Sequence, residues 1–431
     1  MNATSTRTLA WAAVTATALL VADGAVGQQK EIVIGVQCDR TGPTQIVGVI
    51  LCPALQDYIN LISSRGGIEG YKVKAEEIDI EYRVPPAVEA YERQKAEGAV
   101  SIMLYGTPQT QALTQKLNED KIPGTSPGFG TSAAANGARY PYLFPIAASY
   151  WSQGAAAIKF VKDQLGGNLE GKKIAYLFYD NPAGHEPLVI LQDLQKTEKF
   201  ELKTFAVPPP GVEMGAQVLD ITQRFRPDFV INHLFGRSPS VAIKELKRAG
   251  YPLAKVIGLV WASAEADVEA AGGWSVAGGY HTLQFAGVGD EYPVRTEIVE
   301  MYKAQGKQPG KEMQSTVYYN RGLLTAALHI EAIRNAVAAN GGRPPTGEEV
   351  KKGFESIHDF SLGGLVPPLK ISATDHEGGG WVQIFQVKAG KFVKETEWFR
   401  AYREVLAKQL GAEEPGRSML GSLPMRPLVV C

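Results

Sequence analysis

Two loops with small and hydroxyl-bearing residues carry the strongest chemical signal in this chain. The first, Tyr105-Gly106-Thr107, ends an apolar run that begins at Ser101, and the second reads SPGFGT from Ser126 to Thr131. Each loop follows a predicted strand and leads into a helical segment, whose first N–H groups are unpaired and lie at the positive end of the helix dipole. Such positions bind anions. We therefore expect the two loops to form one wall of a site for a small carboxylate.

Two catalytic motifs overlap in the second loop. Gly124–Gly128 matches the G-x-S-x-G pattern of hydrolases, and Gly128–Ala133 matches the G-x-G-x-x-A pattern of dinucleotide-binding proteins. The hydrolase motif needs a strand that enters the serine and a helix that leaves it directly, whereas prolines interrupt both sides of Ser126. A dinucleotide site needs an acidic residue at the end of the next strand, and residues 140–144 carry none. We predict a binding loop and no enzyme, with a hydrolase that uses Ser126 as the alternative.

The six histidines form no motif with metal-ligand spacing, so we predict neither a metal nor a cofactor. His185, His233 and His281 lie at or beside the ends of predicted strands, where α/β units bind their ligands. Each of the three could contact a ligand or remain a solvated loop residue. His329 falls within a long predicted helix and is interpreted as structural.

Aromatic side chains recur at the ends of several predicted strands. Scattered aromatic residues normally belong to the core, but a group at strand ends indicates a stacking pocket. The residues in this group are Tyr105, Phe129, Tyr150, Trp151, Phe235, Trp261, Tyr280 and Phe285.

Length and charge limit the classes of protein that this chain can represent. Its 431 residues are too many for one ordinary core and suit two domains. A net charge of −1 with interspersed acids and bases argues against a nucleic-acid-binding surface, which would show a clustered basic excess.

The first 27 residues have the pattern of a secretory signal peptide. Arg7 supplies the positive region, Leu9–Ala22 is a short apolar stretch, and Ala25-Val26-Gly27 is a small-x-small cleavage site. We predict export to the periplasm after cleavage behind Gly27, with an uncleaved anchor helix as the alternative. No later stretch is expected to be apolar for the length of a membrane span.

Export permits a disulfide between Cys38, at the end of the first predicted strand, and Cys52, on the first predicted helix. A bridge and a pair of small buried thiols both remain open, because the sequence does not give the Cα separation. Cys431 is predicted to be unpaired.

Apolar β-branched runs alternate with helical patterns through residues 31–145, and the alternation restarts at Trp151. This pattern is typical of parallel sheets with crossover helices. We predict an α/β fold with two such units, followed by three helices and a C-terminal hairpin. The predicted strands are Glu31–Gln37, Tyr71–Ile80, Ser101–Tyr105, Lys173–Phe178, Leu202–Val207, Phe229–Asn232 and Lys255–Val260.

The ordered segments EIVIGVQ…TGPT, RGGIEGYKV, YGTPQTQAL, IPGTSPGFGTS and KIAYLFYDNPAGHE resemble the type I periplasmic solute-binding proteins of ABC transporters, the group of the leucine/isoleucine/valine-binding protein. The resemblance covers roughly residues 30–400. It implies a monomer with two Rossmann-like lobes, ABC permease subunits as partners, and a ligand between the lobes. The implied divisions are 28–146 with 281–362 for the first lobe, 147–280 with 363–400 for the second, and 401–431 for a C-terminal helix and mobile tail. The implied crossings lie at Phe144–Ala147, Gly279–Leu283 and Ser361–Gly364.

In amino-acid-binding members of that family, an acidic residue in the second lobe pairs with the ligand ammonium. The matching stretch here is Gly258–Ala262, which offers Trp261 instead, with Glu265 nearby. A buried ammonium without a carboxylate partner is costly. We therefore predict an aromatic acid, benzoate-like or phenylpropenoate-like, with His185, His233 or Arg237 available for a ring hydroxyl or a second carboxyl.

A branched-chain amino acid, an amide, an aliphatic dicarboxylate and a ligand-presenting sensor role are the alternatives. The resemblance also implies that N–H and hydroxyl groups of residues 105–107 and 128–130 hold the ligand carboxylate. The complete predicted ligand-binding set is Tyr105, Gly106, Thr107, Gly128, Phe129, Gly130, Thr131, Tyr150, His185, His233, Phe235, Trp261 and Tyr280.

Overall fold

The computed structural model describes residues 31–412 of the chain. The predicted signal peptide, its cleavage site behind Gly27 and most of the predicted C-terminal tail lie outside these residues. Two sheets with flanking helices make up the described part, and this confirms the predicted α/β fold with two lobes.

The first lobe is built on a parallel sheet of five strands in the order β2-β1-β3-β4-β5. After each strand except the last, a helix or a loop crosses over the sheet and brings the chain back to the end at which the strands begin, as parallel pairing requires. The strands are β1 (Glu31–Cys38), β2 (Lys72–Asp79), β3 (Ala99–Met103), β4 (Gly124–Thr125) and β5 (Leu143–Phe144), and the helices are α1 (Gln45–Ser64), α2 (Val84–Ala96) and α3 (Thr107–Asp120).

The second lobe contains seven strands, of which five run parallel and the last two complete an antiparallel edge. In the order β12-β11-β10-β9-β8-β6-β7 they are Lys391–Lys394, Gln383–Lys388, His281–Gln284, Val256–Gly258, Phe229–His233, Lys173–Tyr179 and Glu201–Val207. The helices are α4 (Tyr150–Gln164), α5 (Pro182–His185), α6 (Leu188–Glu198), α7 (Gly215–Leu219), α8 (Ser238–Arg248) and α9 (Glu265–Ala270).

Three further helices return to the first lobe. They are α10 (Pro293–Ala304), α11 (Thr316–Ala339) and α12 (Gly347–Glu355), and the described residues end in α13 (Arg403–Ala412). Helix α11 packs against α1 so closely that a Cβ at Gly322 would lie 2.4 Å from the carbonyl oxygen of Leu51.

By length and composition α1 could span a membrane, contrary to the expectation that no later segment would qualify. In that window 61% of the residues are buried inside the protein, and the helix lies against β2 and α11. It is therefore the central helix of the first lobe.

Two of the predicted lobe boundaries need correction. Strand β10 pairs with β9 and β11, so residues 281–284 belong to the second sheet and the second crossing follows Gln284. Residues 361–376 remain with the first lobe, where the His376 ring stacks on the Phe144 ring with 3.8 Å between the ring centroids. The third crossing lies instead at 377–380, where Glu377 and Gly380 exchange backbone hydrogen bonds with Ala147 in the first crossing.

Cys38 and Cys52 form a disulfide that joins the end of β1 to α1, with the Cα atoms 6.4 Å apart. Both residues are fully buried. Of the two possibilities that the sequence left open, the structure has the bridge.

Candidate functional site

A cavity of about 670 Å³, counting the solvent at its mouth, lies where the two lobes meet. Residues from both lobes line it: Gln37, Thr44, Val47, Leu51, Leu55, Tyr82, Met103, Leu104, Tyr105, Gly106, Thr107, Pro127, Phe129, Tyr150, Phe235, Trp261, Phe285, Arg321 and Thr325.

The first predicted loop, residues 105–107, lines the cavity. Gly106 precedes α3 with φ of +85°, a backbone conformation that side chains rarely adopt. Its Cβ would also lie 2.2 Å from Oε1 of Gln109. Glycine therefore lets the backbone turn sharply from Tyr105 into α3, which places Thr107 and the helix N-terminus at the cavity wall.

The second predicted loop, residues 126–131, places a side chain in the cavity lining, but two of its backbone N–H groups bond within the protein. Phe129 lines the cavity, but its N–H donates to the carbonyl oxygen of Ser126 at 3.1 Å. The Gly130 N–H donates to Thr107 Oγ1 at 3.0 Å. These two amides are thus engaged within the protein, which corrects the expectation that they hold the ligand carboxylate. Gly128, Gly130 and Thr131 are not among the lining residues.

Gly128 instead joins the lobes through its carbonyl oxygen, which accepts hydrogen bonds from Gln153 Nε2 at 3.1 Å and Trp261 Nε1 at 2.9 Å. Both donors come from the second lobe. A Cβ at Gly128 would lie 2.5 Å from the Phe285 ring, and its φ is +76°. Only glycine fits this point of contact.

Ser126 has none of the surroundings of a nucleophile. It is fully buried, and its Oγ has no hydrogen-bond partner among the described residues. The strand before it, β4, has two residues, and a short 3-10 helix begins only at Ser132. The hydrolase and dinucleotide patterns are therefore chance matches within a packing loop.

An aromatic wall surrounds the cavity. Tyr82 meets Tyr105 edge to face at 6.3 Å between ring centroids, and Phe235 at 6.1 Å. Phe129 and Trp261 meet edge to face at 6.1 Å. Of the predicted aromatic residues the structure brings together Tyr105, Phe129, Tyr150, Phe235, Trp261 and Phe285, and it adds Tyr82.

Three predicted site residues lie away from the cavity lining. The His185 side chain is 54% exposed and pairs with Asp180 at 2.9 Å. His233 is buried, its Nε2 lies 3.0 Å from the carbonyl oxygen of Ala183, and burial lowers its pKa to about 4. Tyr280 is buried and donates to the carbonyl oxygen of Ala262 at 2.8 Å. Arg237 is likewise not a lining residue.

Arg321 on α11 lines the cavity but was not among the residues predicted from the sequence. Its guanidinium is fully buried, and Nη2 donates to Gln284 Oε1 at 2.6 Å and to Ser263 Oγ at 3.1 Å. Nη1 donates to the carbonyl oxygen of Val260. Burial lowers its pKa to about 10, so the side chain is a cation at neutral pH.

The Arg321 cation is surrounded by rings and neutral groups. Its Cζ lies 5.3 Å from the ring centroid of Trp261 and 4.8 Å from that of Phe285, within range of cation–π attraction. Its Nε has no partner in the described part of the chain, and no carboxylate is hydrogen-bonded to the group. Among the described lining residues it is the only charged one.

The acidic residue near the family's ammonium position turns away from the cavity. Glu265 accepts hydrogen bonds from the Thr316 N–H at 2.8 Å and from Thr316 Oγ1 at 2.6 Å, at the N-terminus of α11. Strand β9 ends at Gly258, earlier than predicted, and a 3-10 helix at Val260–Ala262 points the Trp261 indole into the cleft.

Comparison with known proteins agrees with this architecture. Among solved structures, one described as an ABC transporter permease from the Pseudomonas fluorescens group has 33% identity and a TM-score of 0.80, over 89% of this chain and 95% of that one. A branched-chain amino acid ABC transporter from Thermus thermophilus with bound valine has 19% identity and a TM-score of 0.77, over 88% and 99%. A solute-binding protein from R. palustris in complex with benzoate has 20% identity and a TM-score of 0.67, over 84% and 95%.

Comparison with curated protein sequences gives no match. A family model described as periplasmic binding protein matches residues 31–391. The chain therefore belongs to the periplasmic binding protein family, whose members are non-enzymatic solute-binding components of ABC transporters that act in the periplasm or outside the cell.

Proposed function

We propose that this chain is the periplasmic component of an ABC importer whose ligand is a small carboxylate with an aromatic or similarly apolar body. The observation that carries this proposal is the buried cation of Arg321 at the wall of the cavity. The protein acts as a monomer and delivers its ligand to permease subunits in the membrane.

A buried charge is costly unless an opposite charge compensates it. The hydrogen-bond partners of Arg321 are neutral, and the acidic residues Asp267 and Glu265 act on it only at longer range. Burial also raises the pKa of Asp267 to about 7, which weakens its value as a counter-charge. A ligand carboxylate beside the unpartnered Nε would provide the missing negative charge.

The same lining disfavours an α-amino acid. No Asp or Glu occurs among the described residues that line the cavity, and Glu265 is already bonded to the N-terminus of α11. An ammonium group taken from water into this site would lose its hydration without a charged partner. Solved structures of this fold hold valine in one case and benzoate in another, so the lining decides between such ligands.

The body of the ligand would lie among rings. Trp261, Phe129 and Phe235 provide aromatic surface on facing sides of the cleft, and such surfaces contribute stacking and edge-to-face contacts as well as apolar burial. Lobe closure over the ligand would then follow a hinge motion, driven by contacts that exist only in the closed arrangement.

The test is a thermal-shift panel followed by calorimetry on the mature protein. Benzoate and 3-phenylpropenoate should raise Tm, since a ligand that binds only the folded state stabilises it by mass action. Benzamide, succinate and leucine are the comparisons: benzamide removes the charge of benzoate, succinate replaces the aromatic body by an aliphatic chain with a second carboxylate, and leucine combines an aliphatic body with an ammonium. Stabilisation by leucine with none by the aromatic acids would overturn the proposal.

A further inference from the structure

The cavity does not stop at the interface between the lobes. Val47, Leu51 and Leu55 of α1 all line it. These residues follow one another at four-residue spacing, so they lie on one face of the helix. At 1.5 Å per residue they extend about 12 Å along the helix axis. The cavity therefore has an inner compartment within the first lobe, between α1, β3 and α11.

The wall of this inner compartment is apolar. Met103 and Leu104, at the end of β3, and the methyl-bearing Thr325 of α11 complete it. These residues are 8% exposed or less and belong to well-packed elements. An apolar group placed here would make dispersion contacts with these side chains.

One polar group interrupts this lining. Gln37 on β1 is fully buried and lines the cavity. Its Nε2 donates to the carbonyl oxygen of Ala87 at 2.9 Å, which assigns the other amide atom as the acceptor. That acceptor, Oε1, has no partner among the described residues. Buried polar atoms normally have partners, so a hydrogen-bond donor is missing here.

We infer that the ligand is elongated, with its apolar body inserted between α1 and α11 and a single hydrogen-bond donor, such as a phenolic hydroxyl, placed at Gln37. This inference rests on the proposed function, because it assigns the far end of the same carboxylate ligand. The inferred ligand is therefore a longer molecule than benzoate.

The experiment compares three acids by calorimetry on the mature protein: benzoate, 3-phenylpropanoate and 3-(4-hydroxyphenyl)propanoate. We expect 3-phenylpropanoate to bind at least about tenfold more tightly than benzoate, because it buries more apolar surface. The hydroxylated acid should bind about tenfold more tightly again, since its hydroxyl meets an otherwise unpaired acceptor.

A variant that fills the compartment separates the inner site from the cleft. Leu55→Phe should weaken both long acids at least about tenfold and leave benzoate within about twofold. Val49→Phe is the matched control, because Val49 lies on the same helix but is 43% exposed and outside the cavity lining. Leu51→Phe repeats the test one turn away if circular dichroism shows that Leu55→Phe does not fold.

The outcomes distinguish this inference from the proposed function. If the wild-type protein binds none of the three acids, the proposed function fails. If it binds benzoate as tightly as the long acids, or if the filling variants weaken benzoate equally, the inner site is wrong while the function stands. If the two long acids bind equally, the inferred hydrogen bond between the ligand hydroxyl and Gln37 is wrong.

Discussion

The indole N–H of Trp261 donates to the carbonyl oxygen of Gly128 at 2.9 Å, and this bond crosses from the second lobe to the first. Trp261 stands in the stretch where amino-acid-binding members of the family carry an acidic residue. Its ring lies nearly parallel to Tyr318 at 6.1 Å and meets Phe129 edge to face. Trp261 thus both lines the cavity and joins the second lobe to the first.

Trp261→Phe should weaken ligand binding by about five- to tenfold, because it keeps an aromatic ring and removes a hydrogen bond worth about 1 kcal/mol. Calorimetry with the best ligand of the panel measures the change. Trp274→Phe is the control, since Trp274 packs against Phe392 at 5.0 Å and is not among the lining residues. Equal losses in both variants would show that the effect is a general one of tryptophan removal.

Arg321→Met should abolish measurable binding of carboxylates, because it removes the charge proposed to compensate the ligand. Arg321→Lys should recover part of the affinity, since it keeps the charge but not the planar fork. Both variants should also lower Tm, as the carbonyl oxygen of Val260 and the Gln284 amide lose their donor.

Replacing a second buried arginine distinguishes an effect on stability from an effect on ligand binding. Arg295 on α10 is 4% exposed, donates to Asn320 Oδ1 at 2.8 Å and lies outside the cavity lining. Arg295→Met should therefore lower Tm without changing ligand affinity. Carboxylate binding that survives in Arg321→Met at wild-type strength would contradict the proposed role of Arg321.

The alternation of apolar strands and helices was sufficient to predict the α/β fold, because parallel sheets buried on both faces leave that pattern in the sequence. The loop at Tyr105–Thr107 was also predictable, because the end of a strand and the start of a helix are adjacent in the sequence there. The position of Trp261 was predicted from the family resemblance, and the structure places it in the cavity lining.

Arg321 could not be predicted, because its importance depends on which face of α11 meets the cleft. The helix reads TVYYNRGLLTAALHIEAIRNAVAA and is buried on nearly all sides. An arginine within a largely apolar helical stretch is the only local signal. Likewise, His185 lies shortly after β6 and His233 is the last residue of β8. Only packing shows that the first faces solvent and the second the core.

Replacing Cys38 and Cys52 together by serine should reduce the free energy of unfolding by about 3 kcal/mol. A disulfide that closes a loop of this length, with a separation of 14 residues, restricts the unfolded chain by about that amount. Urea unfolding with and without a reductant gives the measurement. The reductant should destabilise the wild-type protein and leave the double variant unchanged, and an equal response of both would exclude the disulfide as the cause.

Stability should fall as the pH decreases from about 6.5 to about 4, in part because of His233. Its ordinary pKa is about 6.5, and burial lowers it to about 4 in the folded protein. Between these values the unfolded chain binds more protons than the folded one, so acidification favours unfolding. His281 and His329, whose pKa values burial also lowers, act in the same direction, whereas Asp267, with its raised pKa, opposes them.

The contribution of His233 is isolated by His233→Gln, whose amide nitrogen can still donate to the carbonyl oxygen of Ala183. The loss of unfolding free energy between pH 7 and pH 4 should be smaller in this variant by about 3 kcal/mol. His185→Gln serves as the control, because the His185 side chain is 54% exposed. Urea unfolding at each pH measures the difference. An unchanged pH dependence in His233→Gln would mean that the folded protein accommodates a protonated His233.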